Sequence, residues 1–343
     1  MNTLIKGDNI DALDYLLKET NLRGKIDLIY TDPPFATNGN FTITNGRAST
    51  ISNSASGNIA YSDKLLGKDF IKYIKERLLL MKELLSDKGS IYLHTDYKIG
   101  HYMKVMMDEI FGIENFRNDI TRVKCNPKNF KRIGYGNIKD MILFYTKSEN
   151  PIWHEPKEPY TKEDIERLYK KIDKNGRHYT TVPIHAPGEI SDTKRFNGLL
   201  PPAGRHWRTD VQTLEKWDKE GLIEWSQNGN PRKIVYADSS EGKRVQDIWL
   251  NYKDPQYPIY PTEKNINFIK LIINTSSDLD SIVLDPFCGS GTTLQAANSC
   301  GRKWIGIDKS DLAIGITKNR MKYNDDTFYG PDIEYIDLMQ KTN

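Results

Sequence analysis

The chain has 343 residues, enough for one large domain or two modest ones with a sizeable core. Hydrophobic residues make up 38% and charged residues 28%, the balance of a soluble globular protein, and no run of 18 or more apolar residues suggests a membrane span. A formal net charge of +3 is too small to imply a nucleic-acid partner by itself, so any such partner would need a local patch.

The first residues, MNTLIKGDNIDAL, lack a basic segment leading into an apolar core, so no signal peptide is expected and the cytoplasm is the default location. Cys125, Cys288 and Cys300 are too widely spaced for a disulfide framework or a CxxC zinc pattern. The histidines are equally scattered and no structural metal is expected.

In chain order, Asp8 reads as the N-cap of a helix with Ile10, Leu13, Leu16 and Leu17 on one face. Residues 26–30, IDLIY, read as a buried strand halted by Asp32-Pro33-Pro34-Phe35, since two prolines cannot continue a ladder. Residues 36–60, rich in Asn, Gly, Ser and Thr, predict a loop. A helix around 68–85, a strand at 90–94, a helix near 100–111 and two strands at 118–124 and 141–145 follow, the last two joined by a basic link.

From about residue 151 the character changes. Residues 151–255 hold Trp153, Trp207, Trp217, Trp225 and Trp249, many turn-forming dipeptides and little alternation, which predicts a separate α+β lobe. Clean α/β patterning returns at 256–325, with a helix at 263–275, a strand at 281–284, a helix at 292–299, a strand at 303–307 and a helix at 312–323. The tail, 326–343, carries little signal.

Two motifs carry chemistry. In residues 282–293, IVLDPFCGSGTT, a strand carrying Asp285 ends in a tight turn through Gly289 and Gly291 and a helix begins near Thr292. Such a turn lets a ligand approach the backbone at a helix N-terminus, outside the carboxyl ends of the strands. Asp308, 23 residues after Asp285, closes the next strand and could accept both ribose hydroxyls of an adenosine. The GxGxxG of a dinucleotide fold fails, because Leu294 stands where the third glycine would be. A plain helix-entry turn remains the alternative.

The second motif is Asp32-Pro33-Pro34-Phe35. An exocyclic amine on a base is a poor nucleophile because its lone pair is delocalised into the ring. A carboxylate and a backbone carbonyl accepting its two N–H groups would localise that pair. The prolines stiffen the turn that presents the carbonyl, and Phe35 offers a face on which an extruded base could stack for ~1–3 kcal/mol. Alone, the segment could equally be an ordinary turn after a strand.

Together, in this order, the motifs resemble those of the DNA amino-methyltransferases, in the group whose DPPF-type motif precedes the cofactor motif (the beta class). Residues 260–265, YPTEKN, resemble the PTEKP-like segment before the cofactor strand, and Gly7-Asp8-Asn9 resembles the short GD segment near the cofactor adenine. Asn265 departs from the usual proline, and Phe35 stands where tyrosine is common. The resemblance covers roughly 1–150 and 256–320.

It implies a Rossmann-like α/β methyltransferase sheet, mostly parallel with an antiparallel edge hairpin, plus an inserted α+β recognition lobe. The implied parts are a catalytic half at 1–150, a target-recognition lobe at 151–255, a cofactor half at 256–325 and a tail at 326–343. It implies S-adenosylmethionine as cofactor, held by Asp8, Asn9, Asp32, Thr262, Lys264, Asp285, Phe287, Gly289, Gly291, Thr292 and Asp308. Asp32, Pro33, Pro34 and Phe35 would be catalytic. The implied activity is methylation of adenine N6 in double-stranded DNA by base flipping and direct displacement, with a homodimer and a cognate restriction endonuclease as partners.

For DNA contacts, residues 117–132 carry Arg117, Arg122, Lys124, Lys128, Lys131 and Arg132 against Asp119, with Phe130 and Tyr135 close by. In the lobe, where 18 basic residues face 17 acidic ones, Arg177, Arg205 and Arg208 are candidates for placed contacts, though Trp207 and its arginines could be structural. The rival functions are cytosine-N4 methylation, RNA methylation, an NAD-dependent oxidoreductase and a catalytically silent DNA-binding module. Aspartate before the PPF favours adenine over the serine common in cytosine-N4 enzymes.

Overall fold

A computed structural model describes residues 2–33, 39–44, 47–49, 58–63, 67–127, 129, 131, 133–188, 190, 194–256, 263–322 and 332–339, with the backbone alone given for 39–63. The chain divides into two compact units, Met1–Pro156 with Gln246–Asn343, and Lys157–Val245.

The first unit is built on a nine-stranded sheet. In chain order its strands are β1 (Asn2–Lys6), β2 (Ile26–Thr31), β3 (Leu85–Thr95), β4 (Phe116–Val123), β5 (Lys139–Thr146), β6 (Ile248–Trp249), β7 (Ile282–Asp285), β8 (Lys303–Asp308) and β9 (Ile333–Asp337). They lie side by side as β6-β4-β5-β3-β2-β7-β8-β1-β9. Pairing is parallel except where β5 runs against β3 and β4. The expected antiparallel hairpin is therefore β4–β5, but it is not the edge, because β6 adds in parallel outside it.

The central strands β2 and β5 are buried on both faces, which is why their sequences read as apolar runs rather than alternating ones. Helices α1 (Asn9–Lys18), α2 (Gly67–Leu84), α3 (Gly100–Phe111), α4 (Ile266–Ser276), α5 (Thr292–Ser299) and α6 (Asp311–Lys322) complete the unit. Asp8 caps α1 by accepting from the Ile10 amide at 3.1 Å, and Leu13, Leu16 and Leu17 are buried. Among the described residues no helix is long and apolar enough to cross a membrane.

Three sequence expectations need correction. Within residues 36–60, expected to be a loop, and just past them the chain forms a small antiparallel sheet of 39–44, 47–49 and 58–63, whose ladder pairing satisfies backbone groups. The tail supplies β9, which pairs in parallel with β1 from Asn2↔Ile333 to Lys6↔Asp337. Residues 246–255 belong to the first unit rather than to the lobe, since β6 pairs with β4 and Asp254 binds Arg122.

The second unit has a four-stranded antiparallel sheet, in spatial order 171–172, 178–183, 231–236 and 223–225, with a separate hairpin of 185–187 and 205–207. Its core is Ile184, Phe196, Trp207, Leu214 and Ile223, with Val211 and Trp217 packed against it. Helix 162–168 starts with a reciprocal capping box between Thr161 and Asp164.

Arg122, expected on a DNA-contacting surface, is instead fully buried. Its guanidinium spans Asp254 (2.6 and 2.8 Å) and Asp140 (3.2 Å) and lies 4.7 Å above the Phe268 ring. On β4 its side chain points into the packing between sheet and α4, where two carboxylates hold the charge. Arg122→Met is expected to lower stability by ~3–5 kcal/mol by stranding buried charge, measured by chemical denaturation. An unchanged midpoint would mean that the buried pairing contributes nothing to the fold.

Candidate active site

The two motif strands are neighbours. β2 pairs in parallel with β7 through Leu28↔Val283 and Ile29↔Leu284, so Asp32 and Asp285 emerge at the same carboxyl end of the sheet. That is where open α/β sheets bind ligands. β8 follows in parallel beside β7 and brings Asp308 to the same end.

Asp285 is buried, accepting from the Phe287 amide at 3.0 Å and from the Thr293 hydroxyl. Burial, with Asp32 and Asp308 nearby, pushes its carboxyl up to about 7. Asp308 accepts from the amides of Gly289 (3.0 Å) and Ser310 (2.9 Å), and burial raises it as well. A carboxylate has about four acceptor sites, so each of its oxygens can take a further donor.

The turn between them depends on Gly291, whose φ of 78° is left-handed. A Cβ there would lie 2.8 Å from the Thr317 side chain, whose hydroxyl donates to the Gly289 carbonyl at 2.9 Å. The glycine missing from position 294 has a counterpart on the strand: Leu294 packs so closely on Gly306 that a Cβ there would meet it at 2.4 Å. Thr292 accepts from Arg320 at 2.8 Å, and Arg320 also pairs with Glu263. Phe287 is partly buried, with the Tyr73 ring 6.5 Å away.

The N-terminal segment closes on the same place. The Gly7 amide donates to the Asp308 carbonyl at 3.1 Å, and Asn9 donates to the Pro286 carbonyl at 3.3 Å. Arg77 on α2 donates to both Asp8 (2.7 Å) and Asn9.

Asp32 pairs through Oδ2 with Lys264, which is itself buried. Its other oxygen, Oδ1, is buried and has no hydrogen-bond partner among the described residues. Pro33 is buried beside it, while Pro34, Phe35 and Thr262 lie outside the described residues.

Of the basic residues expected at DNA, Lys128 and Arg132 lie outside the described residues. Lys124 is half-buried and donates to Asp140 at 2.6 Å. Lys131 is exposed in the link after β4, as are Ile133 and Tyr135. β4 runs parallel to β3 and hence to β2, so this link leaves the sheet at the end where Asp32 and Asp285 lie.

In the second unit Arg177 is engaged by Asp238 at 2.7 and 2.8 Å and stacks 3.7 Å over Tyr236. Arg205 and Arg208 are exposed beside His185, reaching its Nδ1 (3.2 Å) and its carbonyl (3.1 Å).

Sequence reasoning missed Arg77, His94, Asp140 and Arg320. Their only signal was a charged or titratable group inside or bordering an apolar run, as with His94 in SIYLHTD and Asp140 before MILFY.

A family model described as DNA methylase matches residues 26–319. The type II methyltransferase M.EcaI of Enterobacter cloacae is 40% identical over 326 residues, covering 93% of this chain and 69% of that protein. The type II methyltransferase M.KpnI of Klebsiella pneumoniae is 28% identical, covering 96% of this chain and 88% of that protein. Among solved structures, TTHA0409 of Thermus thermophilus in complex with S-adenosyl-L-methionine shares the fold, with a TM-score of 0.51 and 14% identity over 98% of this chain and 99% of that one. With a family model spanning residues 26–319 and a relative 40% identical over 93% of its length, this chain belongs to the N6/N4 DNA methylase family.

Proposed function

We propose that this DNA methyltransferase uses S-adenosylmethionine to methylate N6 of adenine in double-stranded DNA at a specific site. The observation that carries the reading is the orphaned, buried Oδ1 of Asp32 at the carboxyl end of β2, next to the strand that opens the glycine turn.

The residues present fit the cofactor. Asp308 retains acceptor capacity for ribose hydroxyls, Gly291 at the start of α5 lets the turn close tightly against Thr317, and Asp285 and Lys264 offer a carboxylate and an ammonium to the charged methionine end. When bound, the cofactor supplies a methyl group already activated by a positive sulfur.

The protein's own residues then do the rest. Asp32 accepts one N–H of the flipped base and the Pro33 carbonyl the other, localising the amine lone pair. Phe35 stacks on the base. Most of the acceleration comes from holding the amine in line with the methyl carbon.

Arg205 and Arg208 in the second unit, with Lys131 in the link after β4, are the exposed cations assigned to DNA, and residues 157–245 act as the target-recognition lobe. Arg177 contributes only where a phosphate or base edge displaces Asp238. The cytoplasm, a homodimer and a cognate restriction endonuclease complete the reading. Aspartate at position 32 favours adenine over cytosine N4, and mass spectrometry of nucleosides from methylated DNA decides between them.

Asp32→Ala is expected to cut methyl incorporation by ~10²–10⁴-fold while cofactor binding, followed calorimetrically, persists. Turnover at the parent rate would remove Asp32 from the chemistry. Because Asp285 is protonated below about 7 and charged above it, affinity for the cationic cofactor should strengthen as pH rises through 7. Titrations at pH 6 and pH 8 measure this, and Asp285→Asn should flatten the difference.

A further inference from the structure

Behind Asp32 lies a buried polar array centred on His94. His94 on β3 is completely buried. Its Nδ1 stands 2.7 Å from the Tyr30 hydroxyl and 3.8 Å from Asp32 Oδ1, the orphaned oxygen. Its Nε2 lies 3.2 Å from Asp140 Oδ2. Asp140 is in turn held by Lys124 (2.6 Å) and Arg122 (3.2 Å), and Arg122 by Asp254. Phe268 of α4 packs edge-on to the imidazole, its centroid 6.0 Å away.

The hydrogen-bond roles follow from charge. Asp140, flanked by two cations, is an ionised acceptor, so the proton of the neutral ring sits on Nε2. Nδ1 then carries the lone pair and accepts from the Tyr30 hydroxyl. The groups facing the ring are Tyr30 from β2 with Asp32 just past it, Asp140 from β5, Arg122 from β4 with Lys124 just past it, and Lys264 before α4. Burial holds the imidazole below its ordinary value. Asp32 and Asp140 pull it upward, while Lys264 and Arg122 oppose them.

We propose that His94 is the proton relay of methyl transfer, receiving from Asp32 the proton that the methylated amine sheds. The inference rests on Asp32 being the amine acceptor. As the amine lone pair forms the new N–C bond, the C–S bond breaks and its electrons stay on sulfur. The nitrogen's surplus proton passes to Asp32 and then to Nδ1 of His94, with Tyr30 releasing that nitrogen. The resulting imidazolium lies between Asp32 and Asp140, which compensate its charge on both sides, so Asp32 ends the step ionised. His94 touches neither base nor cofactor in this scheme; it is a positioning residue acting through Asp32.

Two measurements on the full chain test the proposal. The first needs no turnover. Imidazole resonances of histidine-labelled protein follow the His94 titration, and Asp32→Asn should lower its midpoint. An unchanged midpoint would overturn the coupling whatever reaction the enzyme performs. The second is the single-turnover rate of methyl transfer to duplex DNA from labelled cofactor across pH. His94→Gln should lose ~10-fold or more of the rate with cofactor affinity intact. Tyr30→Phe, which removes the donor that favours neutral His94, should move the acidic limb of the rate profile to higher pH and serves as the test if His94→Gln fails to fold. An inactive Asp32→Ala beside a fully active His94→Gln, or an unmoved limb in Tyr30→Phe, sinks the relay and leaves the role of Asp32 standing. Full activity in both Asp32→Ala and His94→Gln sinks both readings.

Discussion

The site depends on the backbone pairing of β2 with β7. Only two register pairs are formed, Leu28↔Val283 and Ile29↔Leu284, yet they bring together segments more than 250 residues apart in the chain and set two carboxylates at one end of the sheet. Like charges in a medium of low dielectric repel strongly, and the structure meets the problem differently on each side. Asp285 has its carboxyl raised to about 7, whereas Asp32 is matched by Lys264. One site therefore holds a carboxyl poised to titrate near neutrality beside an ion pair that a ligand's own charges can rearrange.

Much of this was legible in the chain itself. The Asp32 and Asp285 motifs, the glycine turn and most helices follow from periodicity and from the stops imposed by proline and glycine. What could not be read falls into physical classes. β6 is only two residues long and β9, IEYID, is largely polar, so each gains a ladder only because an edge strand is waiting for it. The basic link offered a row of cations, but a row has no inside or outside until the strand's pleat is known. One residue of the set, Arg122, turned inward to a pair of carboxylates, while Lys131 stayed in solvent. Arg77 and Arg320 were invisible for a related reason, because helix positions that look solvated are tethered to Asp8, Asn9, Thr292 and Glu263 once the layers pack.

Charge in this protein is used as framework as well as chemistry. The run from Asp254 through Arg122 and Asp140 to His94 links the edge of the sheet to its centre, with Phe268 as an aromatic floor beneath both the guanidinium and the imidazole. Buried ionic chains of this kind contribute little net stability compared with an apolar filling. They do fix orientation, and the orientation fixed here is that of groups at the mouth of β2. The second unit differs: Trp207 lies in its core with Trp217 packed against it, and the exposed Arg205 and Arg208 flank Trp207 on the surface.

The place of β1 bears on how the chain is assembled. β1 lies between β8 and β9, at 303–308 and 333–337, and has no partner in the sheet until β8, about 300 residues later in the chain, has been made. Its buried residues Leu4 and Ile5 must wait through the synthesis of that intervening stretch with no ladder to join. Contacts so distant in sequence make closure of the sheet a late and slow event, so the half-made chain carries an open strand edge that invites association with other chains or capture by chaperones.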